Sequence, residues 1–337
     1  VRDGSVYCWG ANNVGQLGRP PDFPDSREPF PGPVVELHDA VGVDVGAVHA
    51  CAVRAGGQVV CWGWNRSGQV TGVIGDGDRF GGNHMPREVA GVDRAVQVSV
   101  GVRHSCAVRQ EGRVLCWGDN EHGQLGAVAG GPAPVQVPGL EDAVAVAASS
   151  RNTCALRRNG DVRCWGADDY GQLGDGVIGP GGEGPDVVGL TDAAAIEAGT
   201  HTCALRSTGE IACWGGGPGL GNGTEESSAR PARVRGLTDA ASIAVGGGSS
   251  CAARASGELL CWGSNWRGQI GDGTREHRLE PVVVDGLCAV DEVAIEDTAC
   301  ALQRDGAVLC WGAGGNGTLG NGTLRGSLEP VRVLGLP

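Results

Sequence analysis

The triplet Cys-Trp-Gly occurs seven times in this chain, at Cys8-Trp9-Gly10 and again around Trp62, Trp117, Trp165, Trp214, Trp262 and Trp311. Successive tryptophans stand 53, 55, 48, 49, 48 and 49 residues apart. A period near 50 residues is too long for a solenoid coil and suits one small antiparallel sheet, the blade of a β-propeller. The repeat therefore predicts an all-β, seven-bladed propeller of four-stranded antiparallel blades. It leaves function open, because a scaffold of this kind acts through whatever its loops present.

Composition agrees. Sixty-two glycines against three phenylalanines, two tyrosines and one methionine describe short strands joined by tight turns. The length could hold two domains, but one unbroken array predicts a single propeller over residues 1–337. No run of 18 apolar residues occurs, so no helical membrane span is expected. A formal net charge of −13 argues against a nucleic-acid partner, since such binding rests on Arg and Lys neutralising phosphates. The same charge also serves solubility.

Residues 89–139 display the unit. Residues 96–100 alternate as a strand, residues 101–104 turn, and residues 106–109 form the next strand. Gln110-Glu111-Gly112 is a tight turn into a third strand at 114–117, and the loop through Gly123-Gln124-Leu125-Gly126 leads to an outer strand beginning at Pro134. Strands are labelled A to D from the axis outward. Each D strand is expected to start at a proline: Pro33, Pro86, Pro134, Pro185, Pro231, Pro281 and Pro330.

Six cysteine pairs are ten residues apart: Cys51/Cys61, Cys106/Cys116, Cys154/Cys164, Cys203/Cys213, Cys251/Cys261 and Cys300/Cys310. In a B–C hairpin such residues can lie directly opposite, with Cα atoms about 4.5–5.5 Å apart and within disulfide reach. Buried free thiols are an alternative. Metal is another, although structural zinc sites favour two to four residues between cysteines. Six cross-strand disulfides would imply an oxidising compartment: extracellular, cell-surface or periplasmic. The tryptophan after each second cysteine is expected to fill the gap between blades, which makes Trp9 and its six counterparts core residues.

C- and D-type strands number seven, whereas A and B types number six. The first blade is thus expected to lack its inner strands, as in a fragment or processed form short of roughly 20 residues. Cys8 and Cys288 fall outside the ten-residue rule. Either they bridge each other or Cys8 has a partner upstream.

The unit seen in His201-Thr202-Cys203-Ala204-Leu205-Arg206 and in Trp262-Gly263-Ser264-Asn265-Trp266-Arg267-Gly268-Gln269-Ile270-Gly271 resembles the regulator of chromosome condensation repeat. The resemblance covers essentially the whole chain. It implies a seven-bladed propeller, and the paired cysteines are similar to the exported bacterial type. Within the family, the nuclear founding member is a guanine-nucleotide exchange factor that binds chromatin; disulfides and acidity argue against that role here. A plant ultraviolet-B photoreceptor carries tryptophan in the turn before the histidine, where this chain has Gly46-Ala47-Val48-His49, Gly101-Val102-Arg103-His104 and Ala198-Gly199-Thr200-His201. A secreted bacterial β-lactamase inhibitor supports a binding role.

The A–B and C–D connections share one end of the propeller. The C–D loops vary most, and variable loops on a rigid scaffold are where recognition resides. Partner-binding candidates at that end are Trp64, Arg66, Phe80, Arg103, His122, Tyr170, Trp266 and Arg267, because exposed Trp, Tyr and Arg dominate interface energetics. Local packing of Trp64 and Trp266 on their own loops is the alternative. No catalytic residue, metal or cofactor is indicated: His49, His104 and His201 recur with the repeat and are expected to bond backbone, and no hydrolase elbow or phosphate loop occurs. Gly75-Asp76-Gly77-Asp78 lacks the downstream Glu of a calcium hand. Asn65, Asn222, Asn316 and Asn321 match glycosylation acceptors. The expected function is a non-enzymatic scaffold that binds a protein or surface glycan through its C–D loop end. The alternative is a structural module of a larger surface or filament assembly.

Overall fold

The computed structural model describes residues 1–20, 26–74, 82–127 and 132–337. Among these residues the chain forms six four-stranded antiparallel sheets, one two-stranded sheet and a short 3-10 helix at Pro218–Leu220. In the two-stranded sheet β1 (Tyr7–Ala11) pairs with β2 (Arg27–Pro33). The first four-stranded sheet runs β3 (Ala40–Val45), β4 (His49–Arg54), β5 (Val59–Trp64) and β6 (Gly82–Glu88), in that spatial order. The same A–B–C–D order recurs over residues 95–136, 143–186, 193–233, 240–283 and 290–332. The sheets are numbered I to VII along the chain. A strands of successive four-stranded sheets touch one another, which places them at the centre. Seven blades were expected, the first without its inner strands; the structure has six four-stranded blades, and sheet I consists of a C-type and a D-type strand alone.

The D strands begin upstream of their prolines, at Arg27, Gly82, Gly182, Ser228, Arg278 and Ser327 in sheets I, II, IV, V, VI and VII. This corrects the proline-initiated strands expected from sequence. D is the outer edge strand, so the proline's missing N–H falls on the unpaired side, and the strand continues through it. A register shift between Cys213 and Gly215, repeated in sheets II, VI and VII, lets the D strand pass the Trp-Gly step.

The ten-residue cysteine interval resolves into six disulfides: Cys51–Cys61, Cys106–Cys116, Cys154–Cys164, Cys203–Cys213, Cys251–Cys261 and Cys300–Cys310. The buried-thiol and metal alternatives for these twelve cysteines are thereby set aside. Each bond joins directly opposed residues of strands B and C, with Cys61, Cys116, Cys164, Cys213, Cys261 and Cys310 on the C side. Their Cα atoms are 4.0–4.1 Å apart, closer than the spacing expected for an unlinked pair, because the covalent bond draws the two strands together. Cys8 and Cys288 are unbonded, which overturns the bridge considered between them; Cys8 is half-buried and Cys288 exposed.

Apolar packing lies between sheets. One cluster joins Leu205, Ile211 and the Cys203–Cys213 disulfide of sheet V to Ile243, Leu260 and Trp262 of sheet VI. Six of the seven repeat tryptophans are buried, but Trp9 is only half-buried, because no inner strands of sheet I cover it. Each indole donates to a loop carbonyl of the preceding sheet: Trp62 to Gln16, Trp117 to Gln69, Trp165 to Gln124, Trp214 to Gln172, Trp262 to Gly219 and Trp311 to Gln269, at 2.8–3.0 Å. Trp9 donates to Thr318 of sheet VII at 2.9 Å, so the series closes on itself. The final glycine of each Gly-Gln-Leu-Gly stretch faces that indole. At Gly174, with φ +71°, a Cβ would stand 2.7 Å from Trp214 Nε1. No larger residue fits there.

Candidate functional site

In sheets II, III, IV and VI the C–D loop is held by two polar side chains, all buried except the half-buried Asn120. Asn65 Oδ1 accepts the Val70 N–H at 2.7 Å, and Gln69 Oε1 accepts the Ser67 N–H at 2.9 Å. The same pair of bonds recurs at Asn120 and Gln124, Asp168 and Gln172, and Asn265 and Gln269. Each glutamine thereby pins the backbone of the residue two positions earlier: Ser67, His122, Tyr170 and Arg267. The display residues therefore stand on turns whose backbone donors are satisfied from within, which holds them in place without a partner. This clamp was absent from the sequence expectations, although the recurrent Asn/Asp–x–x–Gly–Gln spacing was its signal.

Arg66, Arg103, His122, Tyr170, Trp266 and Arg267 are exposed, with Tyr170 at 56% and Trp266 at 70%. Trp64 is half-buried, and the Arg103 guanidinium lies over its ring, 5.6 Å from the centroid. That stack is the one ring contact that brings two of the candidates together among the described residues. Trp266 stands edge-on to His277, with ring centroids 4.4 Å apart, and is otherwise largely open to solvent. Phe80 and Gly75-Asp76-Gly77-Asp78 lie outside the described residues. Asn65, a candidate glycosylation acceptor, is fully buried with its side chain in the loop clamp, which excludes modification in the folded protein.

The histidines do not bond backbone as expected. His49 Nε2 meets Ser105 Oγ at 2.8 Å, His104 Nε2 meets Thr153 Oγ1 at 2.8 Å, and His201 Nε2 meets Ser250 Oγ at 2.6 Å, each hydroxyl belonging to the next sheet. Those hydroxyls in turn donate to the carbonyls of Gln69, Gln124 and Gly219 at 3.3, 2.9 and 3.1 Å. Each hydroxyl proton is thus committed to a carbonyl, so the imidazole is the donor and carries its proton on Nε2. A nucleophile–base pair needs the opposite polarity and access to substrate. Here both partners are buried. Burial pushes the imidazoles down from 6.5, to about 3 for His49, where His104 adds a smaller like-charge effect, and to about 4 for His104 and His201. These pairs latch neighbouring sheets.

Two acids occupy equivalent places on A strands, Asp44 opposite Cys51 and Glu197 opposite Cys203. Glu197 is exposed, yet partial desolvation among the central strands, and then the charge of Asp44, pushes it up to about 8. Asp44 is raised by burial, against the opposing effect of the Val100 N–H it accepts at 2.7 Å. Among the described residues no three His, Cys, Asp or Glu side chains gather as metal ligands. Among them, too, no helix is long and apolar enough to cross a membrane.

The RCC1-like domain matches residues 1–296, and the regulator of chromosome condensation (RCC1) repeat matches residues 305–337. The human probable E3 ubiquitin-protein ligase HERC3 is 32% identical over 124 residues, 37% of this chain and 12% of HERC3. The ultraviolet-B receptor UVR8 of Arabidopsis thaliana is 34% identical over 125 residues, 36% of this chain and 27% of the receptor. These matches span well under two thirds of either relative. Yeast RCC1 (Prp20), in its complex with Kap60, has a TM-score of 0.85 at 22% identity, covering 98% of this chain and 84% of Prp20. Prp20p of Saccharomyces cerevisiae, characterised for binding Gsp1p and histones, has a TM-score of 0.84 at 21% identity over 99% of this chain and 87% of its own. At such identities the solved structures speak to fold alone. Family membership rests on the domain match over most of the chain: this protein belongs to the RCC1-like domain family.

Proposed function

We propose that this protein is an exported, non-enzymatic binding scaffold that recognises a protein or surface glycan through the C–D loop end of its propeller. The observation that carries this reading is the display of Tyr170, Trp266 and Arg267 on turns pinned by buried glutamines. All three side chains are exposed, and the N–H groups of Tyr170 and Arg267 are held by Gln172 and Gln269. Large side chains on a preorganised backbone lose little entropy on binding. Trp266 rather than Trp64 is the expected aromatic anchor, since Trp64 is partly used by the Arg103 stack.

Exposed Tyr, Trp and Arg are the side chains that dominate protein–protein interfaces, which is the reason for placing a protein ahead of a glycan as partner. Export is supported by six disulfides, since such bonds persist in oxidising compartments. Residues 1–337 are read as one propeller with sheet I as the outer half of a seventh blade, because the Trp9 indole takes the same place in the bonding series as the other six.

The test compares wild type, Tyr170→Ala/Trp266→Ala and the opposite-end variant Arg113→Ala as bait for cross-linking in the medium of the source cells. A species captured by wild type and Arg113→Ala, and lost from the double variant at unchanged melting temperature, is the expected result. Capture that survives the double variant refutes this face as the binding surface.

A further inference from the structure

The chain has no lysine: its 26 basic side chains are all arginine, and those of the B–C turns are largely neutralised by the protein itself. Arg54 pairs with Asp39 at 2.8 Å, Arg157 with Asp142 at 3.0 Å, Arg206 with Asp192 at 2.8 Å and Arg254 with Asp239 at 3.2 Å. At the C–D end, Arg151 of sheet IV pairs with Asp169 at 3.6 Å. Arg66 and Arg103, like Arg267, differ: they are exposed and have no ion-pair partner among the described residues.

Arg66 and Arg103 also share one neighbour. Arg66 follows Trp64, the last residue of β5, by two positions, and Arg103, on the A–B turn of sheet III, lies over the Trp64 ring. The half-buried indole orients the Arg103 guanidinium, which limits the entropy a partner must remove. Two uncompensated guanidinium forks at the junction of sheets II and III stand out on a protein of net charge −13. A planar fork matches a carboxylate in bidentate geometry, and a local positive spot in an acidic field selects the position of an acidic ligand.

We propose that the Trp64–Arg66–Arg103 corner docks a carboxylate-rich segment of a protein partner. This rests on the reading of the C–D end as the binding face. The probe is a short fluorescein-labelled poly-glutamate peptide, followed by anisotropy at low and physiological salt. Wild type and Arg113→Ala should bind it, with affinity falling as salt rises, and Arg66→Ala/Arg103→Ala should weaken binding by about tenfold or more. Both arginines are exposed, so the double variant should fold normally, which circular dichroism and the melting temperature verify.

Wild type failing to bind the peptide, or the double variant binding it equally well, overturns the proposal. So does tighter binding of an oligothymidylate of equal length, which would make the corner a nucleic-acid site. Loss of partner capture in Tyr170→Ala/Trp266→Ala alongside full peptide binding by Arg66→Ala/Arg103→Ala would retain the binding face and remove this corner. Failure of both pairs of substitutions to alter any binding would remove the face as well.

Discussion

At the Gly219 carbonyl two donors meet: the Trp262 indole at 2.8 Å and the Ser250 hydroxyl at 3.1 Å, with His201 donating to that hydroxyl from behind. Both lone pairs of the carbonyl are used, and one loop atom ties two sheets together. Replacing Ser250 with Ala removes the acceptor of a buried N–H, so it should cost about 1–3 kcal/mol in denaturant unfolding. Ser256→Ala, at an exposed turn, should stay within about 0.5 kcal/mol. Equal effects of the two would refute the relay. Part of this arrangement was legible: His49, His104 and His201 each coincide with a hydroxyl residue immediately before the next sheet's first cysteine. The direction of the bonds was not legible, because proton polarity depends on the carbonyl that the fold brings beneath the hydroxyl.

The strands that meet around the centre are joined edge to edge by side chains as well as by packing. Gln97 exchanges two bonds with the Val146 backbone at 2.8 and 2.9 Å, and Ser99 Oγ accepts the Ala148 N–H at 3.0 Å. The B strands beside them carry the buried neutral histidines, and these set the acid limit. An imidazole held at about 3–4 in the fold but near 6.5 when unfolded contributes stability that is whole above 6.5 and is lost as pH falls toward 4. Each one gives a slope of about 1.4 kcal/mol per pH unit in that window, so the three together give about 4. Glu197, raised to about 8, acts in the opposite sense: its contribution is present below 4.5 and lost as pH rises toward 8. Asp44, also raised, acts in the same direction as Glu197, so the two acids offset part of the histidine slope. Urea unfolding at several pH values between 4 and 6.5 should still show stability rising with pH. In His201→Gln that slope should fall by about 1.4 kcal/mol per pH unit. An unchanged slope would show that His201 is not held neutral. At the outer edge, proline marked the presence of the D strands but misplaced their start, because edge position decides what proline interrupts.

Across the whole molecule, 14 cysteines divide into six disulfides and two thiols, Cys8 and Cys288. Alkylation of unfolded, unreduced protein should therefore add two labels, seen in the intact mass. In the native state Cys288, which is exposed, should react first. Cys8 should lag, since burial pushes its thiol up to about 11 and little thiolate forms at neutral pH. Labelling at both members of each hairpin pair, from Cys51 and Cys61 to Cys300 and Cys310, would mean that the hairpins are not cross-linked in the cell and would remove the support for export.

The sequence by itself determined the architecture, since a period of about 50 residues admits one small sheet per repeat, and ten-residue cysteine spacing can be satisfied in a hairpin whose centre is the intervening turn. It also identified the loops that vary and most of the exposed residues on them, because exposure of a loop residue is a local property. Only the tertiary structure decided what depends on neighbouring sheets and loop closure: that Trp64 lies beneath Arg103 while Trp266, edge-on to His277, stays largely open to solvent, that Trp9 is half-covered, and that glutamines pin the display turns. Each of these joins residues that ring geometry or loop closure brings together, and no spacing along the chain encodes which of two chemically equal side chains will find a partner across a sheet boundary.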